Sequence, residues 1–295
     1  PGAGRQSPRV RGTRPGRTAG WLAGFIGAAY LFLDSRGPAP AAAPAPVPSP
    51  VAYHSDGLAD AYDGFRVEPL ALPTGRGPGT VSLRVTGPDG PATGFREVHT
   101  KPMHMYVLRD DLSGYQHLHP EVVDGAWTAP VTITDGGAYR VYIEFVPHGR
   151  PEGPMGAEPT VLGVPFVIAG DTTMVPVPAP EAEARSGAYT VRRLGGAVDL
   201  ASGTQTALQF QVLRDGRPAV LEPYLGAYAH LSNFEVRTQG LQHLHPIPAG
   251  ATGAAPADGV LSFHAAFAER GDKRMFLQFR AGGTLHQVAF TVFTT

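Results

Sequence analysis

DGPATGFREVHTKPMHMYVLRDDLSGYQHLHP, residues 89–120, is answered 126 positions later by DGRPAVLEPYLGAYAHLSNFEVRTQGLQHLHP, residues 215–246. The two stretches align without a gap. Asp89, Gly90, His104, Gly114, Gln116, His117, Leu118, His119 and Pro120 recur as Asp215, Gly216, His230, Gly240, Gln242, His243, Leu244, His245 and Pro246. Further on, GAYRVYIEF (137–145) matches GDKRMFLQF (271–279) after an insertion in the second copy, and VPFVI (164–168) matches VAFTV (288–292) as a closing strand. Self-similarity at a fixed shift means that one structural unit is used twice.

The unit reads as β-structure. TVSLRV (80–85), RVYIEF (140–145), TALQFQV (206–212) and RMFLQF (274–279) follow a period near two, the period at which side chains alternate across a strand. PDG at 88–90 and RDG at 214–216 supply turns. Each copy has room for about seven strands, the complement of a Greek-key sandwich. The fold class expected is all-β: two tandem immunoglobulin-like or cupredoxin-like β-sandwiches after an N-terminal apolar helix and a Pro/Ala-rich linker. The boundaries are 1–58 for the export segment and linker, 59–170 for the first sandwich, 171–185 for a Pro-rich connector, and 186–295 for the second sandwich.

Composition narrows the chemistry. Hydrophobic residues make up 42%, enough for two cores, and the formal net charge of −1 offers no basic field to attract nucleic acid. The chain has no cysteine. That excludes disulfides, thiolate zinc sites, iron–sulfur clusters and the His/Cys blue-copper site. Any metal must be held by His, Met, carboxylate or backbone groups.

The N-terminus points out of the cytoplasm. Arg5, Arg9, Arg11, Arg14 and Arg17 precede any acidic residue, and AGWLAGFIGAAYLFL (19–33) is an apolar run, with Pro and Ala following. A basic segment before a short apolar stretch is the pattern of an export signal or signal anchor, and the run is shorter than the roughly 20 residues of a full span. The expected location is exported, either secreted or anchored facing outward. Membrane contact is expected only through this segment.

Each copy carries His-x12-His-x-His-Pro: His104, His117, His119, then His230, His243, His245. On a strand, residues i and i+2 share a face, so His117 and His119 project together. A third imidazole from a neighbouring strand would complete a three-His set with an open position, suited to copper or zinc. Whether His104 and His230 join the pairs depends on hairpin register, because a one-residue slip flips every side chain. Met105 and Val107 pairing with Leu118 favours a shared face in the first copy. Phe234 and Val236 pairing with Leu244 favours the opposite face in the second. The structural alternative is that each histidine bonds backbone carbonyls and ends its strand before proline.

Met103, Met105, His148 and Met155 lie near the first trio in sequence and lean toward copper, since Cu(I) accepts thioether ligands. His99, His264 and His286 have no counterpart in the other copy and are expected at the surface or behind the ligands.

VHTKPMHMYVLRDDLSGYQHLHPE (98–121) and EPYLGAYAHLSNFEV with LQHLHP (222–236, 241–246) resemble exported or membrane-anchored bacterial proteins with tandem HLHP-containing β-sandwich domains. These are distantly similar to YtkA-like and CopC-like copper-associated modules. The resemblance covers roughly residues 60–295 and implies envelope metal handling, with a metal transporter or acceptor protein as partner. The CopC-like copper site uses a mature N-terminal histidine. Here His54 would serve only after cleavage just before it.

A cupin would follow its His-x-His with a glutamate and a glycine at set distances. Glu121 comes too early for this in HLHPEVVDG (117–125), and HLHPIPAG (243–250) has no acid. No G-x-S-x-G elbow and no P-loop is present. The function expected is therefore non-catalytic: extracytoplasmic metal binding, copper first and zinc second, for buffering, delivery or sensing. The alternatives are an adhesion or scaffold protein with structural histidines and a metal-dependent cupin-like enzyme.

Overall fold

The alternating stretches become strands, and every regular element in the computed structural model is a strand among the residues it describes: 55–153, 156–244, 246–247 and 254–295, with the His243 side chain excepted. The basic segment, the apolar run at 19–33, the Pro/Ala tract, His54, Met155 and His245 lie outside them.

The first repeat contributes β1 (Phe65–Ala71), β2 (Gly77–Gly87), β3 (His104–Arg109), β4 (Gln116–Leu118), β5 (Glu121–Val123), β6 (Ala126–Ile133), β7 (Gly137–Phe145) and β8 (Thr160–Ile168). The second repeats the series: β9 (Tyr189–Arg193), β10 (Gln205–Arg214), β11 (Ala229–Glu235), β12 (Leu241–Leu244), β13 (Pro246–Ile247), β14 (Val260–Ala266), β15 (Gly271–Ala281) and β16 (Thr284–Thr294). One sheet of the first repeat runs β1-β2-β6-β5 and the other β8-β7-β3-β4, all antiparallel; the second runs β9-β10-β14-β13 and β16-β15-β11-β12. Successive strands cross from sheet to sheet in the order of an immunoglobulin-like sandwich. The fold is all-β, with two such sandwiches in tandem.

Each sandwich has its own core. Val81, Leu83, Met103, Met105, Trp127 and Ile143 fill the first, and Phe210, Leu231, Leu244, Phe263, Phe279 and Phe290 the second. A third apolar cluster joins them: Tyr106, Leu108, Leu112, Tyr115, Tyr142 and Val161 of the first repeat against Phe234, Leu241 and Phe276 of the second. Tyr115 and Phe276 stack with ring centroids 4.1 Å apart and planes 4° from parallel. Across this seam the Tyr115 hydroxyl bonds Ser232 Oγ (3.0 Å), the Tyr142 hydroxyl donates to Gln239 O (2.8 Å) and Gln239 Nε2 donates to Asp110 O (2.6 Å).

Residues assigned by composition to the flanking segments are tied in. Leu241 N donates to Asp56 O (2.8 Å) and Val161 N to Ser55 Oγ (2.7 Å), and just beyond the boundary Gly163 N donates to Ala59 O (2.9 Å). Gly163 has no side chain because this segment crosses over it; a Cβ there would collide with Gly57 O and sit 2.9 Å from Val141 O. In the connector, Thr173 O accepts from Arg109 Nη2 (2.8 Å) and Val175 N donates to Asp111 Oδ2 (2.8 Å). Arg109 and Asp111 form a buried ion pair.

The seam also resolves the hairpin registers. Met105 pairs with Leu118, Tyr106 with His117 and Val107 with Gln116, so the loop 108–115 is even and its Gly114 is left-handed at φ 66°. Met105, Val107 and Leu118 face the sandwich core, and His104, Tyr106, His117 and His119 take the other side. In the second repeat Leu231 pairs with Leu244 and Phe234 with Leu241. Phe234 thus turns to the seam rather than sharing a core face with Leu244, contrary to the apolar pairing expected there. The pattern misleads because β11 is buried at its first six positions: both faces of the sheet are covered, so both carry apolar residues.

Candidate metal centre

His104 opens β3, His117 sits in β4, and His119 follows β4 just before Pro120. Extending the register sets His104 opposite His119. The ligand nitrogens of His104, His117 and His119 all lie within 4.8 Å of one another. Their ring centroids are 5.3 Å (His104–His117), 5.1 Å (His104–His119) and 4.8 Å (His117–His119) apart.

The outward nitrogens of two of the rings meet carbonyl oxygens. His104 Nε2 donates to Val98 O at 3.0 Å, and His117 Nδ1 donates to Gln278 Oε1 at 2.9 Å. The Gln278 amide nitrogen in turn donates to Gln287 Oε1 at 2.9 Å, which turns its carbonyl oxygen to the histidine. A neutral imidazole carries one proton. With their protons on the outward nitrogens, His104 Nδ1 and His117 Nε2 are the ligand atoms, and they approach to 3.0 Å. His119 Nε2 is buried with no hydrogen-bond partner among the described residues. Imidazoles oriented through their far N–H by a carbonyl are the usual support of a metal site.

Burial keeps His117 and His119 neutral. It pushes the His117 pKa well below 6.5, with the neighbouring His104, His119 and His230 acting the same way. Burial, then His104, Lys101 and His230, lower His119 to about 3. The neutral form is the one that ligates metal. Tyr106 stacks on His117 (4.7 Å, 16°) and donates its hydroxyl to Glu144 Oε2 at 2.9 Å. Burial, followed by the Glu144 charge, raises the Tyr106 pKa, so the phenol stays protonated.

His230 does not stand apart in its own sandwich. It is 2% exposed, its ring lies 6.0 Å from that of His117, and its Nε2 donates to Tyr224 O at 2.9 Å. Tyr224 is the repeat equivalent of Val98. The turns Val98–Lys101 and Tyr224–Ala227 share a shape, each closed by a bridge between its ends with two left-handed central residues: His99 and Thr100 (φ 51° and 63°), Leu225 and Gly226 (φ 50° and 72°). This places His99 edge-on to His230 at 4.8 Å. Of the second trio, His243 occupies the strand position opposite Ser232.

The methionine expectation changes. Met103 and Met105 are fully buried in the first core, on the far side of β3 from the imidazoles, and they bring no thioether to the cluster. His148 and His264 are exposed. His286 bonds Ser186 Oγ and Ala281 O and stacks on Phe279. Sequence reasoning passed over Gln278 and underweighted His99. The signal for Gln278 was a polar residue near the end of an otherwise apolar strand, at the place where the first copy has Glu144.

The family model described as Domain of unknown function (DUF8832) matches residues 60–152 and 183–295, once over each sandwich. The chain belongs to this family. Each DUF8832 unit thus supplies one set of histidines, and the two units meet at the seam. No curated protein matches the chain. Among solved structures it is similar to domains 4 and 5 of the S-layer protein SbsC (10% identity, TM-score 0.25, 79% of this chain and 98% of that one). It is also similar to the fibronectin(III)-like modules of Clostridium thermocellum CbhA (8%, TM-score 0.20, 77% and 92%) and to the D0-D1 domain of intimin (8%, TM-score 0.21, 73% and 91%). At these scores the DUF8832 fold rests on its own strand order, and none of the likenesses bears on function.

Proposed function

We propose that this chain is a non-catalytic, exported metal-binding protein that holds a first-row transition ion at His104, His117 and His119. The observation that carries the reading is the convergence of three buried or half-buried imidazoles whose ligand nitrogens all lie within 4.8 Å of one another, His104 Nδ1 and His117 Nε2 being 3.0 Å apart. Three neutral imidazoles aimed at one point are a ready set of nitrogen ligands for a cation. With about 2.0–2.1 Å from zinc to nitrogen, tetrahedrally placed imidazoles set their ring centroids about 5 Å apart. The 4.8–5.3 Å spacing of the trio agrees.

An all-imidazole set suits Cu(II) or Zn(II), and copper outranks zinc in intrinsic affinity. Copper stays first on that ground, without the methionines. The arginine-rich, apolar N-terminus supports export, and buffering or delivery to an envelope transporter or acceptor protein is the role consistent with it. A second reading is a cell-envelope adhesion or scaffold protein with structural histidines. It is favoured by the hydrogen bonds from His104 to Val98 and from His117 to Gln278, which tie the rings into the protein. Elemental mass spectrometry on the purified full chain separates the two. Metal binding requires a stoichiometric ion that His117→Ala removes, whereas a scaffold carries none.

A further inference from the structure

We infer that the bound ion is shared by the two sandwiches, with His230 of the second supplying a fourth imidazole to the trio of the first. This inference rests on the metal-binding reading and specifies it: one ion per chain, at the seam, instead of one in each repeat.

The geometry places His230 for this role. Its Nε2 donates to Tyr224 O, so in the neutral ring Nδ1 is the lone-pair nitrogen. His104, its repeat equivalent, is held in the same way by Val98 O and turns the same nitrogen toward His117. The His230 ring lies 6.0 Å from the His117 ring. That exceeds the roughly 5 Å centroid spacing of a tetrahedral imidazole site by about one ångström, so His230 closes on the trio of His104, His117 and His119 when the ion binds. His99, reaching from the turn of the first sandwich, packs edge-on against His230 at 4.8 Å and restricts where that ring can go. Gln278 of the second sandwich also meets His117 Nδ1 through its Oε1. Both sandwiches therefore already contribute to the surroundings of the trio, one through the ligands and one through their supports. The carboxylate nearest in register, Glu144, pairs with His104 along β3–β7 and receives the Tyr106 hydroxyl. That carboxylate holds the Tyr106 phenol, and the imidazole of His230 is the fourth donor. A closed four-imidazole shell has no position left for substrate, in keeping with a non-catalytic role.

The test is X-ray absorption on the zinc-loaded full chain, paired with competition titrations of Zn²⁺. Four imidazole nitrogens per zinc are expected; three with an oxygen ligand would overturn the shared site. His230→Ala is expected to weaken zinc binding by at least about 100-fold, since even outer-shell partners are worth 10–100-fold. If that variant does not fold, His230→Gln replaces it, and a three-imidazole spectrum of the unmodified protein overturns the shared site without any variant. Binding lost in His117→Ala but unchanged in the folded His230 variant overturns the shared ligand alone. Absence of stoichiometric zinc or copper from the unmodified protein overturns the metal reading and this inference together.

Discussion

Gln278 of the second sandwich accepts a hydrogen bond from His117 of the first, 2.9 Å across the seam. That bond makes the imidazole of one repeat depend on the strand of the other. It also fixes the proton on Nδ1 and leaves Nε2 for a metal. Gln278→Leu is nearly isosteric but cannot accept. It should weaken Zn²⁺ or Cu²⁺ binding by about 10–100-fold and cost about 1–3 kcal/mol in stability through the unsatisfied N–H. Metal competition and chemical denaturation of the same variant measure the two effects. Unchanged affinity would mean that His117 is oriented without it.

His117→Ala removes a ligand and also a ring packed face-to-face on Tyr106 at 4.7 Å. The variant should lose its metal equivalent and become less stable, by about 0.5–1.5 kcal/mol for the stacking alone. His119→Ala, at the strand end, should lose metal with the smaller stability cost. Circular dichroism with thermal unfolding, read beside metal content, distinguishes loss of ligand from loss of fold.

The buried imidazoles tie stability to pH. His117 and His119 are neutral in the folded protein well below 6.5, His119 down to about 3, while in the unfolded chain both titrate near 6.5. Between those values the unfolded state binds more protons, so stability rises with pH and falls as pH drops from about 6.5 toward 3. His119→Gln should make that slope shallower by no more than about 1.4 kcal/mol per pH unit. Because His117 and His119 resist protonation in the folded protein, metal should remain bound below pH 6, where free imidazole would release it. Equilibrium urea unfolding across pH 4–7.5 reads the slope; a flat profile would contradict neutral burial.

The repeat made the architecture legible. A shift of 126 residues located both sandwiches, and strand alternation in TVSLRV and TALQFQV named their inner faces. Register was harder. His104–Arg109 is buried throughout because its second face meets the other repeat, and an alternation rule requires one wet face to say which is inner. The same seam explains why His230 reads from sequence as part of a separate trio. Its proximity to His117 comes from docking of two units far apart in the chain, and nothing in local spacing encodes that. Met103 and Met105, next to His104 in sequence, point away from it for the simple reason that neighbours on a strand take opposite faces.

The seam itself is testable through Phe276, which stacks on Tyr115 with centroids 4.1 Å apart and is 5% exposed. Its ring and Phe234 are the main aromatic groups the second repeat brings to the shared cluster. Phe276→Ala should cost about 3–5 kcal/mol, the usual range for emptying a buried phenylalanine site. The loss falls on docking rather than on either core, since neither sandwich uses Phe276 internally. Calorimetry should therefore show the unfolding of the unmodified chain as one transition and that of Phe276→Ala as two, the second sandwich melting apart from the first. Metal affinity should fall in the same variant, because Gln278, two residues along β15 on the same face, loses its fixed position against His117. A variant that keeps one sharp transition and full affinity would show that the sandwiches are joined by other contacts than this aromatic cluster.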